Sequence, residues 1–308
     1  MRIVYMGTPE IAAVILRRLL EAKYEVVLAV TQPDRPKGRG KALAQSPVKE
    51  LAAAWNVPVF QPEKVRQPEA VQVIREAKPD MIVVAAFGQI LSRELLSLPR
   101  LGCVNVHASL LPKYRGAAPI QWAILDGEKE TGVSIMAMDE GVDTGAVYSR
   151  RAVPISDKET GGSLHDKLAE AGASALLEAI PGIADGTLRA VPQGETTTPY
   201  AKQLKKEMGR LDFTRSAAEL ERRIRGLNPW PSAYSYLNGK QCKLWSAEAV
   251  PGDGEPGTIT EVGRDSFTVQ TGDGRLVILE LQLEGKPRMK TGDFLRGNRI
   301  TAGQRFGE

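Results

Sequence analysis

Apolar positions in the first hundred residues fall in short blocks separated by helical repeats. Residues 2–6 make a brief apolar run that predicts a strand. Gly7-Thr8-Pro9-Glu10 follows, and Ile11, Val14, Ile15 and Leu19 then recur at helical spacing. Thr8 suits an N-cap, and Pro9 suits the first helical position, where a missing N–H costs nothing. A second strand is expected over 25–31, and Ser46-Pro47 opens another helix by the same device. Residues 57–60, 81–86 and 103–107 supply further apolar strands. Strands separated by helices predict a parallel sheet with crossovers, an α/β, Rossmann-like, doubly wound fold.

The pattern changes near residue 205. Ser216-Ala217-Ala218-Glu219 has capping-box spacing ahead of Leu220, Ile224 and Leu227, which predicts one helix. Asn228-Pro229-Trp230-Pro231 ends it. Short alternating runs follow at 243–247, 257–262, 266–271 and 275–283, with turns at Asn238-Gly239 and Asp273-Gly274. These predict a small, OB-like β-barrel. The expected domains are therefore 1–205 and 206–308, linked near 190–210, where the chain is rich in Thr, Gly and Pro.

Composition narrows the class. The formal charge of +4 permits a polyanionic partner without requiring one. From Lys206 onward there are 16 Lys/Arg and 14 Asp/Glu, the same +2 balance as the residues before it, so charge does not mark out the second domain. The dense basic cluster is Asp34-Arg35-Pro36-Lys37-Gly38-Arg39-Gly40-Lys41, just after the second expected strand, on the edge where α/β folds bind ligands. The two cysteines, Cys103 and Cys242, lie far apart and argue against disulfides or structural zinc. No stretch approaches the ~18 apolar residues of a membrane span, and no secretory segment opens the chain. A cytoplasmic protein is expected.

Familiar catalytic motifs are missing: there is no G-x-S-x-G elbow, Walker A sequence, H-E-x-x-H pair or complete dinucleotide fingerprint. Asn105-Val106-His107 is more informative. Residues two apart in a strand face the same way, so an amide donor would stand beside an imidazole, which suits chemistry at a carbonyl. Taken alone, such a triplet is more often structural. His165, the other histidine, reads as a surface residue. Asp139-Glu140-Gly141-Val142-Asp143-Thr144-Gly145 is an acidic, glycine-bordered turn that by itself reads as solvated, although a carboxylate from it can also orient an imidazole.

The stretch Asn105-Val106-His107-Ala108-Ser109-Leu110-Leu111-Pro112-Lys113-Tyr114-Arg115-Gly116-Ala117-Ala118-Pro119-Ile120 resembles the signature of formyltransferases that use 10-formyltetrahydrofolate. Asp143 matches that family's catalytic aspartate. The run from Thr31 to Lys41 looks like the inserted basic loop of the methionyl-tRNA formyltransferases, and the second domain is also similar to theirs. The resemblance implies catalysis by Asn105, His107 and Asp143. It implies a folate site at Phe87, Gly88, Gln89, Ile90 and Leu91 together with Ser109, Leu110, Leu111 and Pro112. It also implies contacts from Arg35, Lys37, Arg39 and Lys41 to the acceptor arm of methionyl initiator tRNA, with Arg39 nearest the acceptor end. No metal, membrane or obligate protein partner is implied. The proton carrier, His107 or a held water, stays open. Two rivals remain: a relative that formylates an amino sugar or hydrolyses formylfolate, and a non-catalytic RNA-binding protein.

Overall fold

In the computed structural model, which describes residues 1–37 and 42–307, the first half of the chain alternates strands and helices. The order is β1 (Arg2–Gly7), α1 (Glu10–Glu21), β2 (Glu25–Val30), β3 (Arg35–Lys37), β4 (Ala42–Ala44), α2 (Pro47–Ala54), β5 (Val59–Phe60), α3 (Pro68–Glu76) and β6 (Met81–Ala85). Then come α4 (Arg93–Leu96), β7 (Cys103–His107), α5 (Pro119–Leu125), β8 (Glu130–Ala137), β9 (Val147–Pro154) and α6 (Gly161–Asp185). Seven strands make one sheet in the order β5-β2-β1-β6-β7-β8-β9. The first five are parallel, as the alternating pattern predicts, whereas β7-β8 and β8-β9 are antiparallel. The sheet is therefore mixed. The short path from Ala137 to Val147 leaves no room for a crossover, so β9 returns as a hairpin.

The parallel strands are apolar on both faces because both are covered. Val4, Met6, Val30, Ile82 and Val84 pack with Val71 and Ile74 of α3, while Ile3 and Tyr5 are equally buried on the other side. Gly7 is dictated by closeness: a Cβ there would lie 2.6 Å from the Ala12 Cβ and 2.9 Å from the Ala85 carbonyl oxygen. The start of α1 differs from expectation. Pro9 is its N-cap, without a side-chain cap bond, and the Thr8 hydroxyl is used elsewhere. Ser46 does cap α2, accepting from the Lys49 amide at 3.1 Å with Pro47 in the first turn.

Contacts divide the chain into two compact units. One holds residues 1–119, 130–154 and 165–201; the other holds 120–129, 155–164 and 202–308. The second unit thus draws two short segments from the middle of the chain. Within it, Arg222 Nε donates to the Leu125 carbonyl at 3.2 Å and Arg225 Nη1 to the Glu159 carbonyl at 2.8 Å.

The second unit also contains a short 3-10 helix, Lys206–Gly209, and α7 (Ala217–Gly226), capped by Ser216. Six strands follow: β10 (Ala233–Leu237), β11 (Lys240–Val250), β12 (Ile259–Val262), β13 (Phe267–Gln270), β14 (Arg275–Leu283) and β15 (Met289–Lys290), with α8 (Thr291–Gly297) last. They form an antiparallel sheet in the order β10-β11-β14-β13-β12, with β15 on β14. β10 and β12 do not pair directly; the C-terminal segment runs between them, with the Ile259 amide donating to the Gln304 carbonyl at 2.8 Å and the Gly307 amide to the Tyr236 carbonyl at 2.8 Å, as the expected barrel requires. Asn238-Gly239, both at positive φ, form the tight turn between β10 and β11. Leu220 and Ile224 of α7 pack into one core with Leu244, Phe267, Ile278 and Phe306.

Each cysteine is buried, Cys103 in the first unit and Cys242 in the second. Burial pushes both thiols up to about 12. A thiolate is the reactive form, so at pH 8 the native protein should resist a thiol reagent at both sites, and two thiols should appear on unfolding in denaturant. Rapid labelling of either cysteine in the native protein would contradict this packing.

Candidate active site

Because β1, β2, β6 and β7 run parallel, the loops after them gather on one edge of the sheet. Thr8 ties three of these loops together. Its hydroxyl donates to the Phe87 carbonyl at 3.2 Å and accepts from the Gln32 amide at 3.3 Å, and Gln32 Nε2 also donates to the Phe87 carbonyl at 3.1 Å.

Asn105 and His107 leave β7 on the same face and meet Asp143. Asn105 Nδ2 lies 3.5 Å from Asp143 Oδ1, and His107 Nδ1 lies 3.6 Å from the same oxygen. His107 is only 6% exposed, so its ring is held by its neighbours rather than by water. Its Nε2 lies 3.0 Å from the Tyr114 carbonyl oxygen. A carbonyl can only accept, so Nε2 carries a hydrogen and donates it. That leaves Nδ1, facing Asp143 and beside the Asn105 amide, as the nitrogen free to take or release a proton. The other carboxylate oxygen, Oδ2, accepts from the Gly116 amide at 3.0 Å.

The spacing of the acidic turn has a physical basis. Asp139 Oδ1 accepts from the Gly141 amide at 3.1 Å and the Thr144 hydroxyl at 2.7 Å, closing the turn on itself. A Cβ on Gly141 would strike the Thr144 hydroxyl at 2.0 Å, and one on Gly145 would strike the Ala137 carbonyl oxygen at 1.9 Å. The clash at Gly145 is with main chain and only glycine fits there; that at Gly141 is with a side chain that can turn. Asp143 itself sits at φ 55°, which turns its carboxylate toward Asn105 and His107. Tyr200 stands nearby: burial first, and the negative charge of Asp143 second, push its phenol above the ordinary range.

The segment after His107 is pinned from β8. Ser134, fully buried, donates to the Ser109 carbonyl at 2.7 Å and accepts from the Leu111 amide at 3.0 Å. Arg150 Nε donates to the Leu111 carbonyl at 2.6 Å, and the Ser109 hydroxyl to the Lys113 carbonyl at 2.6 Å. Leu111 is buried against Met136 and Val147, while Leu110 and Pro112 are half-buried.

The segment after β6 divides its residues. Phe87 and Leu91 face the core at 2% and 5% exposure, whereas Ile90 is 67% exposed. Gly88 is at φ 82°, and the Gln89 side chain turns inward to the Val65 amide and the Pro62 carbonyl. Ile90 and the neighbouring backbone thus offer an open wall on a rigid base, which fits a flat, partly polar ring.

A family model described as formyl transferase matches residues 1–180, and one described as formyl transferase, C-terminal domain, matches residues 203–299. A methionyl-tRNA formyltransferase of Agathobacter rectalis is 51% identical over 308 residues, covering 99% of each chain. One of Geobacter sulfurreducens is 49% identical over all of this chain and 97% of its own. The chain belongs to the methionyl-tRNA formyltransferase family. More distant solved structures share the fold. WlaRD, a sugar 3N-formyl transferase, aligns at TM-score 0.67 and 20% identity over 93% of this chain and 99% of its own. HypX from Aquifex aeolicus, solved with tetrahydrofolic acid, aligns at TM-score 0.65 and 19% identity. That alignment covers 98% of this chain and half of HypX.

Arg35 is exposed on β3, and Lys37 ends β3 opposite Ala42 of β4; Arg39 and Lys41 lie outside the described residues. Asp34 is not free to offset their charge. Hydrogen bonds from Lys49 Nζ at 2.5 Å and from Gln61 Nε2 at 2.7 Å hold its carboxyl below the usual range. His165 is part-exposed, with Nδ1 3.0 Å from Asp166, and takes no part in the cluster.

Sequence reasoning missed Ser134, Arg150 and Tyr114. Ser134 carried a faint signal, a lone hydroxyl inside the apolar strand Val133-Ser134-Ile135. Tyr114 had none, because it acts through its backbone carbonyl.

Proposed function

We propose that the chain transfers the formyl group of 10-formyltetrahydrofolate to the α-amino group of methionyl initiator tRNA, giving N-formylmethionyl-tRNA and tetrahydrofolate. The observation that carries this reading is the meeting of Asn105, His107 and Asp143 at one carboxylate oxygen, in a chain about half identical, end to end, to methionyl-tRNA formyltransferases. Asn105 Nδ2, and His107 Nδ1 once it has taken the amine's proton, are the donors for the oxyanion that develops on the formyl group. Asp143 keeps the ring oriented and stabilises it when Nδ1 carries a proton. With Nε2 engaged to Tyr114, neutral Nδ1 takes up the amine's proton as that nitrogen bonds the formyl carbon, and gives it to the folate nitrogen as the bond from folate to the formyl carbon breaks.

Gly88 and Ile90, with the backbone from Ser109 to Pro112, are the folate wall of this proposal; Phe87, Gln89 and Leu91 support it from within. Residues 1–205 carry the chemistry and 206–308 contribute to holding the RNA. The enzyme works in the cytoplasm; among the described residues no helix is long and apolar enough to cross a membrane. The sugar-formylating alternative rests on likeness of fold at 20% identity, which leaves the acceptor undetermined.

Arg35, Lys37, Arg39 and Lys41 are the phosphate contacts of the proposal. Arg39 grips bidentately, whereas Lys37 and Lys41 act as point charges. Mixing the protein with 10-formyltetrahydrofolate and charged initiator tRNA should release tetrahydrofolate. Neutralising Lys37, Arg39 and Lys41 together should lower kcat/KM for tRNA and flatten its salt dependence by ~0.7–0.9 log unit per lost phosphate contact. Folate affinity should hold. An unchanged salt slope would remove the loop from the interface, and no tetrahydrofolate release from wild type would remove the function itself.

A further inference from the structure

Residues 191–201 read as a linker, yet bonds from 191, 193, 194, 198 and 201 tie them to the loops that carry the reacting groups. The amides of Val147 and Val191 each donate to the other's carbonyl, at 2.8 and 2.9 Å. At the far end, the Ala201 amide donates to the Arg115 carbonyl at 2.8 Å, and the Ala117 amide to the Ala201 carbonyl at 2.8 Å. Between these anchors most residues are exposed. Gln193 and Thr198 are half-buried, and both point at the site.

Gln193 spans two motif loops. Its Nε2 donates to the carbonyls of Asp143, at 2.9 Å, and Gly145, at 2.6 Å. Its Oε1 accepts from Arg115 Nε at 3.1 Å and Nη2 at 2.9 Å, and Arg115 also donates to the Gly194 carbonyl at 3.0 Å. The amide orientation is unambiguous, since two carbonyls require donors and a guanidinium requires an acceptor. Thr198 works on the histidine side. Its hydroxyl oxygen accepts from the Tyr114 amide at 2.8 Å, and the Tyr114 carbonyl is the partner of His107 Nε2.

We propose that residues 191–201 form a positioning strap, in which Gln193 sets the Asp143 loop and Thr198 sets the carbonyl that fixes the His107 ring. Both act through the main chain of the residues they hold. Gln193 matters because the bonds of Asp139 close the turn on itself and the Gly116 amide holds the Asp143 carboxylate, which leaves the main chain at Asp143 to be held from outside the turn. The two bonds from Gln193 supply that constraint, and Arg115 fixes Gln193 in turn. The inference rests on the catalytic reading of Asp143.

The test uses the full chain with Gln193→Ala and Gln193→Glu, each also placed in an Asp143→Ala background. Gln193→Glu keeps the shape and the Arg115 contact but removes both donors, so it separates positioning from folding. Either single variant should lower kcat by about 10- to 100-fold, the cost of a small misplacement of reacting groups. KM for folate and for tRNA should stay within about twofold. In the Asp143→Ala background neither should cause a further loss, because the residue it positions is gone. Thr198→Ser should keep turnover and Thr198→Val should lower it. A folded Gln193→Glu variant with turnover within threefold of wild type would overturn the strap. An equal further loss in the Asp143→Ala background would overturn it too, by showing a role independent of Asp143. If Asp143→Ala itself turned over normally, the catalytic reading would fall first, a distinct result.

Discussion

His107→Ala should lower turnover by about 100- to 1,000-fold with the fold intact, the usual cost of losing one donor to a developing oxyanion. The geometry sharpens this expectation. Asn105, His107 and Asp143 share one carboxylate oxygen, so removing any member unsettles the other two. Asn105→Ala and Asp143→Ala should fall in the same range, and the triple variant should be little worse than the worst single one. Asp143→Asn keeps the volume but loses the charge that stabilises a protonated ring, so it should resemble Asp143→Ala. Pre-steady-state transfer rates with saturating folate and charged tRNA provide the measurement, and circular dichroism the check on folding. Turnover within a few-fold of wild type for folded His107→Ala would remove it from the chemistry.

The second large effect comes from a residue with no side chain. Gly145→Ala should lower kcat by about 100-fold, because its Cβ would lie 1.9 Å from the Ala137 carbonyl oxygen and main chain must move to admit it. That movement passes directly to Asp143, two residues earlier. Gly141→Ala is the internal comparison. Its added Cβ meets the Thr144 side chain at 2.0 Å, and a hydroxyl can rotate away at the cost of one bond to Asp139. The loss should be clearly smaller. If the two alanine variants behaved alike, or if Gly145→Ala kept wild-type turnover, the turn would not be what places the carboxylate.

Much of this molecule is legible in the chain itself. The alternation of apolar strands and amphipathic helices gives the parallel half of the sheet, and Ser46 and Ser216 mark helix starts that the structure shows capped. Residues 103–107 form a strand, so the two-residue period brings Asn105 and His107 onto one face. The Asp-x-Gly-x-Asp-Thr-Gly spacing is legible because its positions meet local demands, a turn-closing carboxylate, a hydroxyl donor, a glycine beside that hydroxyl and a glycine where main chain leaves no room for a Cβ. Such features depend on neighbours a few residues away, and local sequence carries them.

Tertiary structure decided the rest. Thr8 has the chemistry of a helix cap, but the Phe87 carbonyl and the Gln32 amide, far along the chain, claim its hydroxyl. The antiparallel direction of β8 and β9 follows from strand pairing, which apolar content does not encode. Tyr114 orients His107 through a backbone carbonyl, a group every residue possesses. Residues 191–201 have the Thr, Gly and Pro content of a linker because they lack a repeating pattern. Their hydrogen bonds go to distant loops, as from Gln193 to Asp143, 50 positions away, and from Thr198 to Tyr114, 84 away. A polar side chain in a loop looks the same in sequence whether it meets water or a catalytic turn, and only the folded chain determines which.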